Sequence, residues 1–142
     1  MSRVQLALNV SDIDEAVSFY VKVFGVEPAK RQLGYANFVI AEPPLKLVLF
    51  QNPSRAGTLN HLGVEVMSTD EVAGAALRLE NEGLPIEIEE QVDCCHAVQD
   101  KVWVTGADTR WEFYTVLADS PQAAGACGCD AGGGADQACC AS

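Results

Sequence analysis

Val4-Gln5-Leu6-Ala7-Leu8-Asn9-Val10 alternates large apolar residues at even positions with Gln5, Ala7 and Asn9 at odd ones, and His61-Leu62-Gly63-Val64-Glu65-Val66 alternates in the same way 56 places later. A period of two belongs to an extended chain whose successive side chains face opposite sides of a sheet. Each run leads into a helical pattern. Ser11 offers an N-cap with Asp14 three residues on, and Ile13, Ala16, Val17, Phe19, Tyr20, Val23 and Phe24 then recur at helical spacing until Gly25, which can close the helix in a left-handed conformation. In the later copy Ser68 offers the cap with Glu71, and Val72, Ala73, Ala76, Leu77 and Leu79 form the stripe before Asn81-Glu82-Gly83.

Extended stretches follow each helix. They are Ala36-Ile40 and Leu45-Phe50 in the first copy, separated by Glu42-Pro43-Pro44, and Ile86-Ile88, Val98-Val104 and Trp111-Val116 in the second. The reading is an α+β domain of two strand-helix-strand-strand-strand modules, about 1–52 and 58–119, joined by a linker near Gln51-Asn60. Helices are expected on the large apolar face of each sheet. Gln5 and His61 are then left lining a concavity where the two sheets meet.

From 120 to 142 the composition changes: twelve Ala or Gly, four Cys, no aromatic and no Lys or Arg. Such a segment has too little bulky apolar surface to offset chain entropy, so it is expected to be a flexible tail beyond a folded domain of 1–119. Its Cys127-Gly128-Cys129 and Cys139-Cys140 look like extra soft-metal ligands.

Across 142 residues, nine Lys and Arg stand against twenty Asp and Glu, a formal net charge of −11. That is the wrong sign for holding phosphate backbones or anionic lipid, so neither nucleic acid nor a membrane surface is expected as a partner. No apolar run approaches the roughly 20 residues that cross a bilayer, and Met-Ser-Arg-Val-Gln is not a signal sequence, which gives a cytoplasmic expectation. Oligomeric state stays open between monomer and homodimer. All six cysteines follow residue 93, a distribution suited to thiols for binding or redox chemistry rather than to a disulfide framework.

Strand parity in Trp111-Glu112-Phe113-Tyr114-Thr115-Val116 puts Glu112 and Tyr114 on one face and Trp111 and Phe113 on the other, so Glu112 joins the concave side. An amide, an imidazole and a carboxylate facing one cavity form an O/N donor set with open positions, suited to a divalent transition metal. Taken singly, each of these residues has an ordinary role as a surface or core group. The two-module pattern, with Asn60-His61-Leu62-Gly63-Val64-Glu65-Val66 opening the second module and Trp111-Glu112-Phe113-Tyr114 in its last strand, resembles the vicinal oxygen chelate superfamily of glyoxalase I and the extradiol dioxygenases. The resemblance implies that Gln5, His61 and Glu112 hold the metal. Many iron-dependent members have His where this chain has Gln5, and an amide oxygen is the weaker donor.

Asp93-Cys94-Cys95-His96-Ala97-Val98 carries the second chemistry. Adjacent cysteines make a poor disulfide. They serve either as two small, partly buried apolar groups or as a dithiol clamp for a thiophilic centre such as trivalent arsenic, antimony, cadmium or mercury. The acidic run Glu87-Asp93 before them and the strand after them point to a polar loop with an accessible thiol. Together with Gly34-Tyr35-Ala36-Asn37-Phe38 and Ala41-Glu42-Pro43-Pro44-Leu45-Lys46-Leu47-Val48-Leu49, the segment resembles the bacterial carbon–arsenic lyases and their cadmium-induced relatives over about 1–119. That resemblance implies an Fe(II)- and dioxygen-dependent lyase that cleaves trivalent organoarsenicals and releases arsenite, with Cys94 and Cys95 as catalytic, substrate-holding thiols. Ni, Co, Mn or Zn could take the place of iron in a purified sample. His96 could tune a thiolate or move a proton, or do neither, and Tyr114 and Lys101 could support the site or only the fold. Two other readings are thiol-based sequestration of cadmium or arsenite without turnover, and glyoxalase-like action on thiol conjugates.

Overall fold

The computed structural model describes residues 2–94 and 97–119, with Cys94 described by its backbone only. Cys95, His96 and the run 120–142, with Cys127, Cys129, Cys139 and Cys140, lie outside the described residues. The elements are β1 (Arg3–Val10), α1 (Ile13–Phe24), β2 (Lys30–Gln32), β3 (Tyr35–Ile40), β4 (Leu45–Gln51), a short 3₁₀ turn (Pro53–Arg55), β5 (Leu59–Glu65), α2 (Thr69–Asn81), β6 (Ile86–Cys94), β7 (Ala97–Gly106) and β8 (Thr109–Asp119). This is the strand-helix-strand-strand-strand order twice over.

The strands form one eight-stranded sheet in the order β2-β3-β4-β1-β5-β8-β7-β6. The two sheets expected from sequence are therefore a single continuous one. The modules meet where β1 and β5 pair antiparallel, and each of these strands pairs in parallel on its other side, β1 with β4 and β5 with β8. Across the central seam Gln5 faces Gly63 and Ala7 faces His61. The two pairs exchange under the 56-residue repeat, since 5 + 56 is 61 and 7 + 56 is 63.

Helices cover one face, as the apolar patterning dictates. Ile13 and Val17 of α1 pack with Ala36, Phe38, Ile40, Leu47 and Leu49, and Leu6, Leu8 and Val10 lie against the same cluster. Val72 and Ala76 of α2 pack on Val102, with Phe113 and Ile86 beside them. Each fully buried side chain of this kind contributes about 1.5–3 kcal/mol. Phe19, Val23 and Leu77, expected in the stripes, are exposed because they fall on the flanks of the covered arcs.

Two local expectations are corrected. The N-cap of α1 is Asp12, whose Oδ1 accepts from Glu15 N at 3.0 Å, so Ser11 lies one residue outside the helix. Ser68 does cap α2, accepting from Glu71 N. Cys94, expected in a polar loop, ends β6, which runs on from the expected strand Ile86-Ile88 through the acidic run Glu87–Asp93 and pairs with β7 as far as Cys94 opposite Ala97. Among the described residues no helix is long and apolar enough to cross a membrane.

Candidate active site

One row of the concave face crosses five strands. Lys46 of β4 pairs with Gln5 of β1, Gln5 with Gly63 of β5, Gly63 with Glu112 of β8, and Glu112 with Trp103 of β7. His61 stands two residues from Gly63 on the same face, and strand alternation sends all these side chains to the side away from the helices.

Gly63 makes the convergence sterically possible. A Cβ at this position would meet Glu112 Cγ at 2.9 Å and Gln5 Cβ at 3.4 Å. With hydrogen there, the side chains from either side close over it. Gln5 Nε2 donates to Glu112 Oε1 at 2.7 Å and lies 3.0 Å from His61 Nε2, and His61 Nε2 lies 3.2 Å from Glu112 Oε1. Gln5, His61 and Glu112 are 5%, 4% and 3% exposed, so the cluster is shut off from bulk water.

Outer contacts orient these groups. Thr58, Asn9 and Asn60 form a relay: Asn9 Nδ2 donates to Thr58 Oγ1, and Asn60 Nδ2 donates to Asn9 Oδ1, both at 3.0 Å. Asn60 Oδ1 is thereby turned toward His61 Nδ1 at 2.8 Å. This contact fixes the orientation of the ring, with Nε2 facing Gln5 and Glu112. Lys101 Nζ donates to Glu112 Oε2 at 3.1 Å, occupying one carboxylate oxygen and leaving the other to face Gln5 and His61.

Burial alone would push the Glu112 carboxyl up, but the Lys101 charge, the His61 imidazole and the hydrogen bond from Lys101 outweigh it and hold Glu112 at about 2. The carboxylate is thus ionised across the physiological range. Burial, with Glu65 and Glu112 nearby, holds the Tyr114 phenol well above its usual range, so it keeps its proton. Among the described residues no three His, Cys, Asp or Glu side chains gather, since the third donor beside His61 and Glu112 is the Gln5 amide. An ionised carboxylate, an imidazole with Nε2 turned inward and an amide that can present oxygen by a half-turn are chemistry that fits a divalent cation.

The structure brings Gln5, His61 and Glu112 together, with Lys101 and Tyr114 on the same face. It places Cys94 at the end of β6, paired with Ala97, and Ala97 lines a cavity of about 210 Å³. Cys95 and His96 are outside the described residues. Gly63 and Asn60 were not singled out from sequence as parts of the site. A glycine inside an alternating strand was the available signal for the first, since it marks close approach of another chain. The Asn60 relay had none.

The model of the Glyoxalase/Bleomycin resistance protein/Dioxygenase superfamily matches residues 3–115. The chain belongs to this superfamily. Among superfamily relatives it is 62% identical over 121 residues to the cadmium-induced protein CadI of Mycobacterium tuberculosis, covering 84% of this chain and 80% of that one. It is 51% identical over 142 residues to a protein of Thermomonospora curvata named trivalent organoarsenical cleaving enzyme, covering 99% of this chain and 89% of that one. The Mn(II)-bound glyoxalase of Novosphingobium aromaticivorans superposes with a TM-score of 0.59 at 20% identity, over 88% of this chain and 42% of that one. At that identity the likeness concerns the superfamily fold alone.

Proposed function

We propose that the protein is a carbon–arsenic lyase acting on trivalent organoarsenicals such as methylarsonous acid and trivalent aromatic arsenicals, dependent on Fe(II) and dioxygen and releasing arsenite. The observation that carries the reading is the closure of Gln5, His61 and Glu112 over Gly63, within 3.2 Å of one another, on the face of the sheet turned away from the helices. The relatives' names support the substrate class.

Gln5, His61 and Glu112 would hold the metal, which when bound supplies open positions and redox chemistry for dioxygen. Asn60 fixes the His61 ring, and Lys101 balances the Glu112 charge in a site closed to water. Cys94 and Cys95 would bind arsenic as two thiolates and hold it against the cavity that Ala97 lines. Fixing the arsenic in place makes attack on its carbon bond effectively intramolecular.

The high identity to a cadmium-induced protein favours a second reading, in which the thiols sequester a soft ion without turnover. The two part at the metal cluster. On the lyase reading, Glu112→Ala and Gln5→Ala each lower arsenite release by more than about 100-fold, while the arsenical still binds in a thiol-dependent way. On the sequestration reading, binding follows the thiols, no arsenite forms and neither variant changes anything.

A further inference from the structure

The cavity of about 210 Å³ beside the thiol-bearing hairpin is lined by Lys30, Tyr35, Asn37, Lys46, Gln99 and Asp119, together with Ala97 and small apolar groups. Its place is set by strand register. Ala97, at one end, pairs with Cys94, and Lys46, at the other, pairs with Gln5. The cavity thus lies on the donor-bearing face, with one lining residue in register with Cys94 and another in register with Gln5.

Its charge is opposite to that of the protein. In a chain of net charge −11, this lining holds two lysines against one carboxylate, Asp119, which pairs with Lys30 at 3.0 Å from a side chain that is 86% exposed. Lys46 is closer to the interior. Its ammonium lies 5.2 Å from the Tyr114 ring centroid and 3.7 Å from Glu65 Oε1, but Glu65 also bonds Arg3, so this trio keeps one positive charge in excess. One buried polar group of the lining has no hydrogen-bond partner, the Gln99 side-chain oxygen, on a residue that is 8% exposed; outside the lining, the Tyr114 hydroxyl, whose ring lies under Lys46, is also without one. A half-rotation of the Gln99 amide brings its N–H to the place of the unpartnered oxygen, which suits an oxyanion. Unsatisfied buried groups call for an occupant. A cavity of about 150 Å³ takes a benzene ring, so this one has room for a substituted ring.

We propose that this cavity is a carboxylate subsite centred on Lys46, selecting arsenicals that carry an acidic oxygen group either on the organic substituent or on the small thiol bound to arsenic. The proposal rests on the carbon–arsenic reading for the rest of the substrate. No redox step is involved in loading. When a thiol carrier delivers arsenic, two carrier S–As bonds break, two bonds to Cys94 and Cys95 form, and the protein thiol protons leave with the carrier thiols.

The test uses the full chain loaded with Fe(II) and reads arsenite. For the substituent source, 4-carboxyphenylarsonous acid is compared with phenylarsonous acid. For the carrier source, phenylarsonous acid is delivered with glutathione or with 2-mercaptoethanol. The expected result is a preference in kcat/KM of about tenfold or more in one of these pairs, the size of one charged hydrogen bond. The preference should collapse in Lys46→Met and survive in part in Lys46→Arg. Preferences near one in both pairs, or preferences unchanged by Lys46→Met, overturn the subsite while leaving cleavage intact. A third measurement is independent of turnover: benzoate titrated against the full chain, followed at the Gln99 side-chain amide by NMR. If no arsenical yields arsenite, the lyase reading fails. A saturable Gln99 shift that Lys46→Met removes then keeps the carboxylate site, and no shift overturns it.

Discussion

A methyl group at position 63 would touch the side chain that the whole cluster depends on. Glu112 cannot give way cheaply, because its carboxylate is pinned by Lys101 in a buried pair. Gly63→Ala is therefore expected to keep the fold and lower affinity for Fe(II) or Mn(II) by about 10-fold or more, checked by metal titration beside circular dichroism. Wild-type affinity in the variant would show that the close approach at Gly63 does not shape the site. Glu112 also gives a pH signature. Its folded value of about 2 lies below its ordinary 4.5, so its contribution to stability is complete above pH 4.5 and is lost as the pH falls toward 2. Glu112→Gln leaves the Lys101 ammonium buried without its anion and is expected to cost about 3 kcal/mol at neutral pH. Urea midpoints of the two proteins should converge on acidification, and a constant gap would contradict the assignment.

Strand β6 shows where sequence patterning ends and tertiary structure takes over. Its register shifts between Glu89 and Val92, with Gln91 at a φ of 51°, and the extra residue breaks the alternation of Ile86, Glu87, Ile88 and Glu89. The sequence pattern therefore shows a strand only over Ile86-Ile88, and the rest of β6 is legible only in its pairing with β7. Buried Asp100 holds the bulge, accepting from Gln91 N at 2.7 Å through Oδ1 and from Thr69 Oγ1 at 2.6 Å through Oδ2, which ties it to the start of α2. Asp100→Ala should cost about 1–3 kcal/mol and speed hydrogen exchange at the Gln91 amide ahead of the β7–β8 ladder. Uniform exchange across the sheet would show that Asp100 does not pin the bulge. Strand β2 escaped sequence assignment for a different reason. Lys30-Arg31-Gln32 is a short charged edge, the composition that keeps a sheet edge from recruiting another chain and that leaves no apolar pattern to read. In contrast β1, β5 and β8 were legible because one face of each is covered by a helix and the other is polar, so parity alone placed Gln5, His61 and Glu112 on one side. Gly63, Asn60 and the Asp100 tie depend on what crosses from other strands, and no single stretch of sequence contains that information.

The two modules are related by the antiparallel seam of β1 and β5, and the relation is broken where function would require it. Gly63 of β5 pairs with Glu112 of β8, and by the same symmetry Ala7 of β1 pairs with Val48 of β4. The counterpart of the carboxylate is thus a valine, buried with Ala7, Tyr35 and Phe50. This apolar half leaves the cluster with three donors and one side without a fourth. Val48→Glu would supply a fourth donor. It is expected to raise retention of Fe(II) through dialysis and to lower turnover by filling a position that the reaction needs, with metal content and arsenite release as the paired readouts. Higher turnover with a fourth donor present would contradict the three-donor account.

The most direct measurement loads the full chain with Fe(II) and methylarsonous acid without oxygen, then admits air and follows arsenite. The account predicts none before air, arsenite rising together with oxygen consumption after it, and neither in Glu112→Ala. Arsenite appearing at the same rate without oxygen, or unchanged in that variant, would contradict it.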